Sequence, residues 1–146
     1  MEREILYRGK RVDSGEWVEG YLIKGERTYI ITLKATQYMV VSVSYMASVE
    51  VVEVIPKTVG EYTGVCDKNG KRIFEGDRVH CRGVHGSGVV KYDCGGFGVE
   101  YDNPIAEDWT GVSLICLICE DGLADCIVTG NIYNKESDNG RKDKNV

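Results

Sequence analysis

Proline, histidine and phenylalanine occur only twice each in this 146-residue chain. No apolar run approaches the roughly 20 residues that a membrane-spanning helix needs. The opening Met1-Glu2-Arg3-Glu4 lacks the charged-then-apolar order of a secretion signal. A cytoplasmic location without membrane contact is therefore expected, and in that compartment the six cysteines are expected as reduced thiols rather than a disulfide framework. Also missing are GxSxG, HExxH, a P-loop and a dinucleotide fingerprint. Their absence argues against an enzyme, and no cofactor is expected. Cations are scarce in the second half: up to Ile73 there are eleven basic against ten acidic residues, and beyond it seven against thirteen, for a net charge of −5. Between Lys91 and Asp125 the field is almost wholly acidic, which repels a phosphate backbone.

What the chain does have is eighteen glycines, spread along its length between short runs rich in Val, Ile, Thr and Tyr. That composition predicts a mainly β protein. Residues 5–8 and 17–21 flank Asp13-Ser14-Gly15 and read as a hairpin. Strands over 29–33, 39–45 and 49–55 complete an N-terminal β-hairpin/sheet subdomain over 1–56, ending at Pro56. Beyond it, Val79 and Cys81, Val90 and Tyr92, and Phe97, Val99 and Tyr101 alternate with polar positions, the period of strands covering one core. Turn chemistry punctuates them: Asn69-Gly70 supplies the positive-φ pair of a tight hairpin, Gly76-Asp77 launches the next strand, and Asp93 leads to Gly95-Gly96. The prediction for 57–134 is a small SH3-like β-barrel, with a disordered tail over 135–146.

Several of these segments together resemble the YopX family of bacteriophage and prophage proteins. The likeness is carried by TVGEYTG, DKNGK and IFEGDRV between Thr58 and Val79, by REILYRGKRVDSGEWVEGY at the start, by VKYDCGGFGVEY from Val90, and by Gly130-Asn131-Ile132-Tyr133. Cys94 departs from it, standing where a polar residue is expected. The resemblance implies a phage-derived protein and brings no catalytic activity with it.

Each reactive side chain has a structural role to set beside its chemistry. Cys116 and Cys119 have the spacing of a zinc clasp, with Cys126 as a third ligand and Cys94, Cys66 or His80 as a fourth. Their flanks, Leu114, Ile115, Leu117 and Ile118, read instead as a buried strand in which cysteine packs as a small hydrophobe. His80 and Cys81 are neighbours on one strand and point to opposite faces, so they form no nucleophile–base pair. His85 lies in a turn. Asp77 and Asp93 beside turn glycines are expected to accept backbone N–H bonds.

The apolar density over 40–55 exceeds what one sheet face needs, and a strand edge this apolar needs cover. A homo-oligomer is expected, with Val41, Val43, Tyr45, Val52 and Val54 at the contact. The resulting expectation is a non-catalytic, self-associating protein-binding module whose other partner is unknown. Two alternatives stand beside it. One is a nucleic-acid-binding module using Arg3, Arg8, Lys10, Arg11, Lys24 and Arg27 with Tyr7, Trp17 and Tyr21; the interspersed Glu2, Glu4, Asp13, Glu16, Glu19 and Glu26 make it the weaker reading. The other is a metal-dependent or hydrolytic enzyme built on Asp77, Asp93 or His80.

Overall fold

A computed structural model describes residues 3–36, 46–82, 86–103, 111–113 and 119–134. The chain divides into two compact units, Met1–Gly64 and Val65–Val146. The described residues are mainly β strands, with no α-helix among them. The expected tail over 135–146 lies outside the described residues.

In the first unit, β1 (Tyr7–Lys10), β2 (Trp17–Lys24), β3 (Thr28–Thr36) and β4 (Met46–Glu53) are followed by a 3₁₀ turn at Pro56–Thr58 and by β5 (Gly60–Cys66). Their order is β4-β3-β2-β1-β5, and the assigned strand pairs are antiparallel. The first hairpin closes where Gly15, at φ 72°, donates its N–H to Arg11 O at 2.9 Å. The second closes where Gly25 N–H reaches Arg27 O at 3.0 Å. Beyond β4 the chain curls back to the end of β1. Val12 N–H donates to Glu53 O (3.0 Å) and Ile55 N–H to Lys10 O (2.8 Å). Pro56, the expected boundary, opens the 3₁₀ turn; the chain then returns alongside β1, Arg8 opposite Gly60, so the division falls after Gly64 instead. Ile30, Val52 and Val54 form the core, with Val18, Leu22 and Val59 packed on it. Gly20 permits this close fit: a Cβ there would stand 2.1 Å from the Ile31 carbonyl oxygen.

Strand β5 runs on past Gly64 to Cys66, and the Asp67–Gly70 turn leads from it to β6 (Arg72–Phe74). Next come β7 (Asp77–Cys81), β8 (Gly86–Asp93), β9 (Gly96–Tyr101), β10 (Gly111–Ser113) and β11 (Cys126–Asn131). The last five form an antiparallel sheet in the order β10-β9-β8-β7-β11. Alternation works as expected here except at Tyr92, which was expected beside Val90 in the core but is 55% exposed, near the end of β8, with its ring edge against Phe97. Val79, Cys81, Val90, Val99, Tyr101 and Cys126 point to one side and form the core with Ile73 and Ala124.

Among the described residues the sheet is open, with β10 and β11 at its edges, so the closed barrel expected from the strand count is not seen there. The reason lies at β11. Its outward backbone groups are already taken: Cys126 O accepts from Lys68 N–H at 3.1 Å and Val128 N–H donates to Asp67 Oδ2 at 3.0 Å. A capped edge has nothing left to offer another strand at those positions.

An exposed apolar face and the motif residues

Directly opposed residues of an antiparallel ladder share a face. Tyr21 lies opposite Ile31 and Ile31 opposite Val51; Ile23 lies opposite Tyr29, and Leu33 opposite Val49. These side chains therefore lie together on one surface of β2, β3 and β4. The other surface carries Leu22, Ile30 and Val52, which build the core. Strands apolar on both surfaces lose the usual alternation. The core surface is buried, while Tyr21 is 56% exposed, Ile23 47%, Leu33 60%, and Val49 and Val51 58% each. Strand β4 is at the edge of the sheet among the described residues.

The residues predicted to make the oligomer contact divide differently. Val52 and Val54 are 4% and 1% exposed. Their backbone positions turn them into the core, so they cannot present a surface, and Val49 and Val51 hold the outward positions of the same strand. Val41, Val43 and Tyr45 lie outside the described residues. Apolar density along β4 supplies both of its faces, and which of them is buried depends on which way the sheet curls.

Arginines of this unit pair with carboxylates. Arg27 meets Glu53 at 3.4 Å, Arg11 meets Asp13 at 2.9 Å and Glu50 at 3.2 Å, and Arg3 meets Glu61 at 2.6 Å. Hydrogen bonding from Arg11 lowers the Asp13 carboxyl to about 2, and the same contacts raise the Arg11 guanidinium. Arg8 and Lys10 sit over the Trp17 ring, 4.5 and 5.4 Å from its centre. The ring that would stack a base thus already carries two cations.

The predicted turn residues act on the backbone. Gly70 is at φ 78° and closes its turn by donating to Asp67 O at 2.9 Å. Asn69 N–H and Lys71 N–H both donate to Asp67 Oδ1 at 2.9 Å. Gly76 is at φ 89°, and Phe74 N–H donates to Asp77 Oδ2 at 2.8 Å. Asp93 Oδ1 accepts from Cys94 N–H at 2.8 Å. Gly95 follows at φ 81° and Gly96 opens β9. Cys94 itself is at φ 50°, which a non-glycine residue adopts with difficulty.

Two further residues matter that the turn reading passed over. Asp67 is 1% exposed and Asn131 7%. Asp67 joins its own turn to β11 through Val128, and Asn131 Nδ2 donates to Asp77 Oδ1 at 3.2 Å. The Asx position two residues before Asn69 signalled the first; nothing local signalled the second.

The remaining candidates do not converge. Cys119 and Cys94 are exposed, Cys66 is partly buried and Cys126 is buried; Cys116 and His85 lie outside the described residues. His80 is exposed and its Nδ1 lies 3.0 Å from Ser87 Oγ, while Cys81 is buried on the opposite side of β7. No group of three or more His, Cys, Asp or Glu is arranged to hold a metal among the described residues. Cys81 instead stands directly opposite Cys126 in the ladder of β7 and β11. A hydrogen bond from Cys126 pulls the Cys81 thiol below its ordinary range, and the same bond with burial pushes Cys126 up.

No curated protein and no solved structure matches the chain. A family model described as YopX protein matches residues 6–137. That span takes in β1 to β11 and the turn residues placed above, and the chain belongs to the YopX protein family.

Proposed function

We propose that this protein is a non-catalytic, self-associating module that works through protein contacts, with the outer surface of β2, β3 and β4 covered by a second copy. The observation that carries the reading is the cluster of Tyr21, Ile23, Leu33, Val49 and Val51, each about half exposed and all on one side of one sheet. Single exposed hydrophobes are ordinary, whereas contiguous ones mark surfaces that become buried in an assembly. Edge strand β4 borders the same surface, so a second copy gains backbone pairing as well as apolar contact.

The second unit is read as SH3-like. Support comes from strand order: β7 to β10 run as a meander and β11 returns beside β7. A phage or prophage accessory role in the cytoplasm is the setting that the family likeness suggests. The nucleic-acid reading is weaker because the arginines are engaged with carboxylates and the Trp17 ring with Arg8 and Lys10. A hydrolytic reading is weaker because Asp77 and Asp93 spend their oxygens on turn backbone and Asn131.

Light scattering at micromolar protein tests the proposal. The unaltered chain should return a mass above that of one copy, and Leu33→Glu with Val51→Lys should return the monomer with the circular dichroism of a folded chain and a midpoint lowered by no more than the lost association. A monomer mass for the unaltered chain overturns it. A gel shift at two salt concentrations separates the alternative, since phosphate binding weakens steeply with salt.

A further inference from the structure

Cys81 and Cys126 play no part in the apolar face, yet their placement in the second unit is specific. They are direct partners in the ladder between β7 and β11 and are 0% and 1% exposed. Arg82 N–H donates to Asp125 O at 3.3 Å, beside the pair. The Cys126 backbone turns the other way, its N–H to Ala124 O at 2.8 Å and its carbonyl to Lys68 N–H at 3.1 Å.

That pattern defines a non-hydrogen-bonded pair, the kind in which opposed Cα atoms approach to about 4.5 Å and side chains are closest. Disulfides span Cα separations of about 4.4–6.8 Å. The bridge therefore fits the ladder as it stands, with both thiols facing the same core. Tyr101, Asp67 and Asp125 are the ionisable groups around them.

We propose that Cys81 and Cys126 are an oxidisable dithiol whose cross-strand disulfide locks edge strand β11 onto β7. The oxidant is a low-molecular-weight disulfide such as oxidised glutathione. The Cys81 thiolate attacks one of its sulfurs, forming a mixed disulfide and releasing one small thiol, which takes up a proton. Cys126, after giving its proton to solvent, attacks the Cys81 sulfur, forms the protein disulfide and releases the second small thiol. Two protein thiols are oxidised and one small disulfide is reduced.

Access comes from the position of β11 at the end of the sheet, where β7 pairs with it on one side and single hydrogen bonds to Lys68 N–H and Asp67 Oδ2 hold the other, rather than a second strand. Local opening of an edge strand costs less than global unfolding and exposes both sulfurs. The lock also secures Asn131, at the far end of β11, whose carboxamide holds Asp77. Oxidation state thereby sets how firmly the second unit is closed.

Incubating the full chain with oxidised glutathione until its thiol count stops falling, then alkylating and mapping peptides without reduction, tests this. The expected results are a Cys81–Cys126 linked peptide and an unfolding midpoint several degrees above that of the reduced chain. Cys126→Ala, checked for folding by circular dichroism, should lose both; if that variant fails to fold, the peptide map and midpoint of the unaltered chain decide. Recovery of Cys81 and Cys126 as alkylated thiols, linkage of either to another cysteine, or a linked chain with no gain in midpoint each overturns the proposal.

Discussion

The carboxamide of Asn131 donates to Asp77 Oδ1 at 3.2 Å, tying the end of β11 to the start of β7. The other Asp77 oxygen accepts from Phe74 N–H at 2.8 Å. Two motifs more than fifty residues apart in sequence, EGD and GNIY, are thus halves of one buried polar clamp. Motif residues of such regularity invite a catalytic reading, but these fasten strands together.

Replacing Asp77 by Ala leaves the Phe74 N–H and the Asn131 amide without this acceptor in a buried place. Two hydrogen bonds to a buried carboxylate are lost, at about 1.5 kcal/mol each, for a combined loss of about 3 kcal/mol. Urea unfolding followed by circular dichroism should show the midpoint fall accordingly. A loss within about 0.5 kcal/mol would mean the clamp is not a stabilising contact.

Gly20→Ala puts a methyl group 2.1 Å from the Ile31 carbonyl oxygen and 2.8 Å from its carbon, so the β2–β3 ladder has to move. The expected cost is at least about 2 kcal/mol. Gly25→Ala is the control, because its nearest neighbour, Arg27 O, is 3.8 Å away. Hydrogen exchange of the β2 and β3 amides should quicken in the first variant and stay as it was in the second.

The Asp13 carboxyl, held down to about 2 chiefly by its hydrogen bond from Arg11, titrates below its ordinary 3.8. A carboxyl whose folded value is depressed adds stability above its unfolded value, and that addition is lost as pH falls from about 4 through about 2. The contribution is small, since this pair is exposed and screened by salt. Carbon-detected NMR titration should place the Asp13 midpoint near 2, moving toward the ordinary value in Arg11→Gln. An ordinary midpoint in the unaltered chain would show that the pair does not persist in solution.

Turn dipeptides were readable locally because their constraint is local. Asn69 does not take the positive φ expected of it, its N–H being held by Asp67 Oδ1 instead, but Gly70 and Gly76 take the positive φ that their turns predicted and Asp77 accepts a turn N–H. The same holds for the alternation of Val79, Cys81, Val90 and Val99 on the core side. The open sheet was not readable, since it depends on Asp67 and Lys68 reaching across to β11 from about sixty residues away in sequence. Nor could the pairing of Cys81 with Cys126 be read, because register between distant strands has no signature in either one.

Composition and pattern were enough to establish a mainly β chain with its reversals at the right glycines, because backbone conformational preference acts over a few neighbouring residues. Which side of β4 faces water, which cysteines meet and which asparagine closes the clamp depended on the assembled sheets. An apolar strand looks the same in sequence whichever face it buries, and curvature that brings Val52 and Val54 inward is what leaves Val49 and Val51 outside.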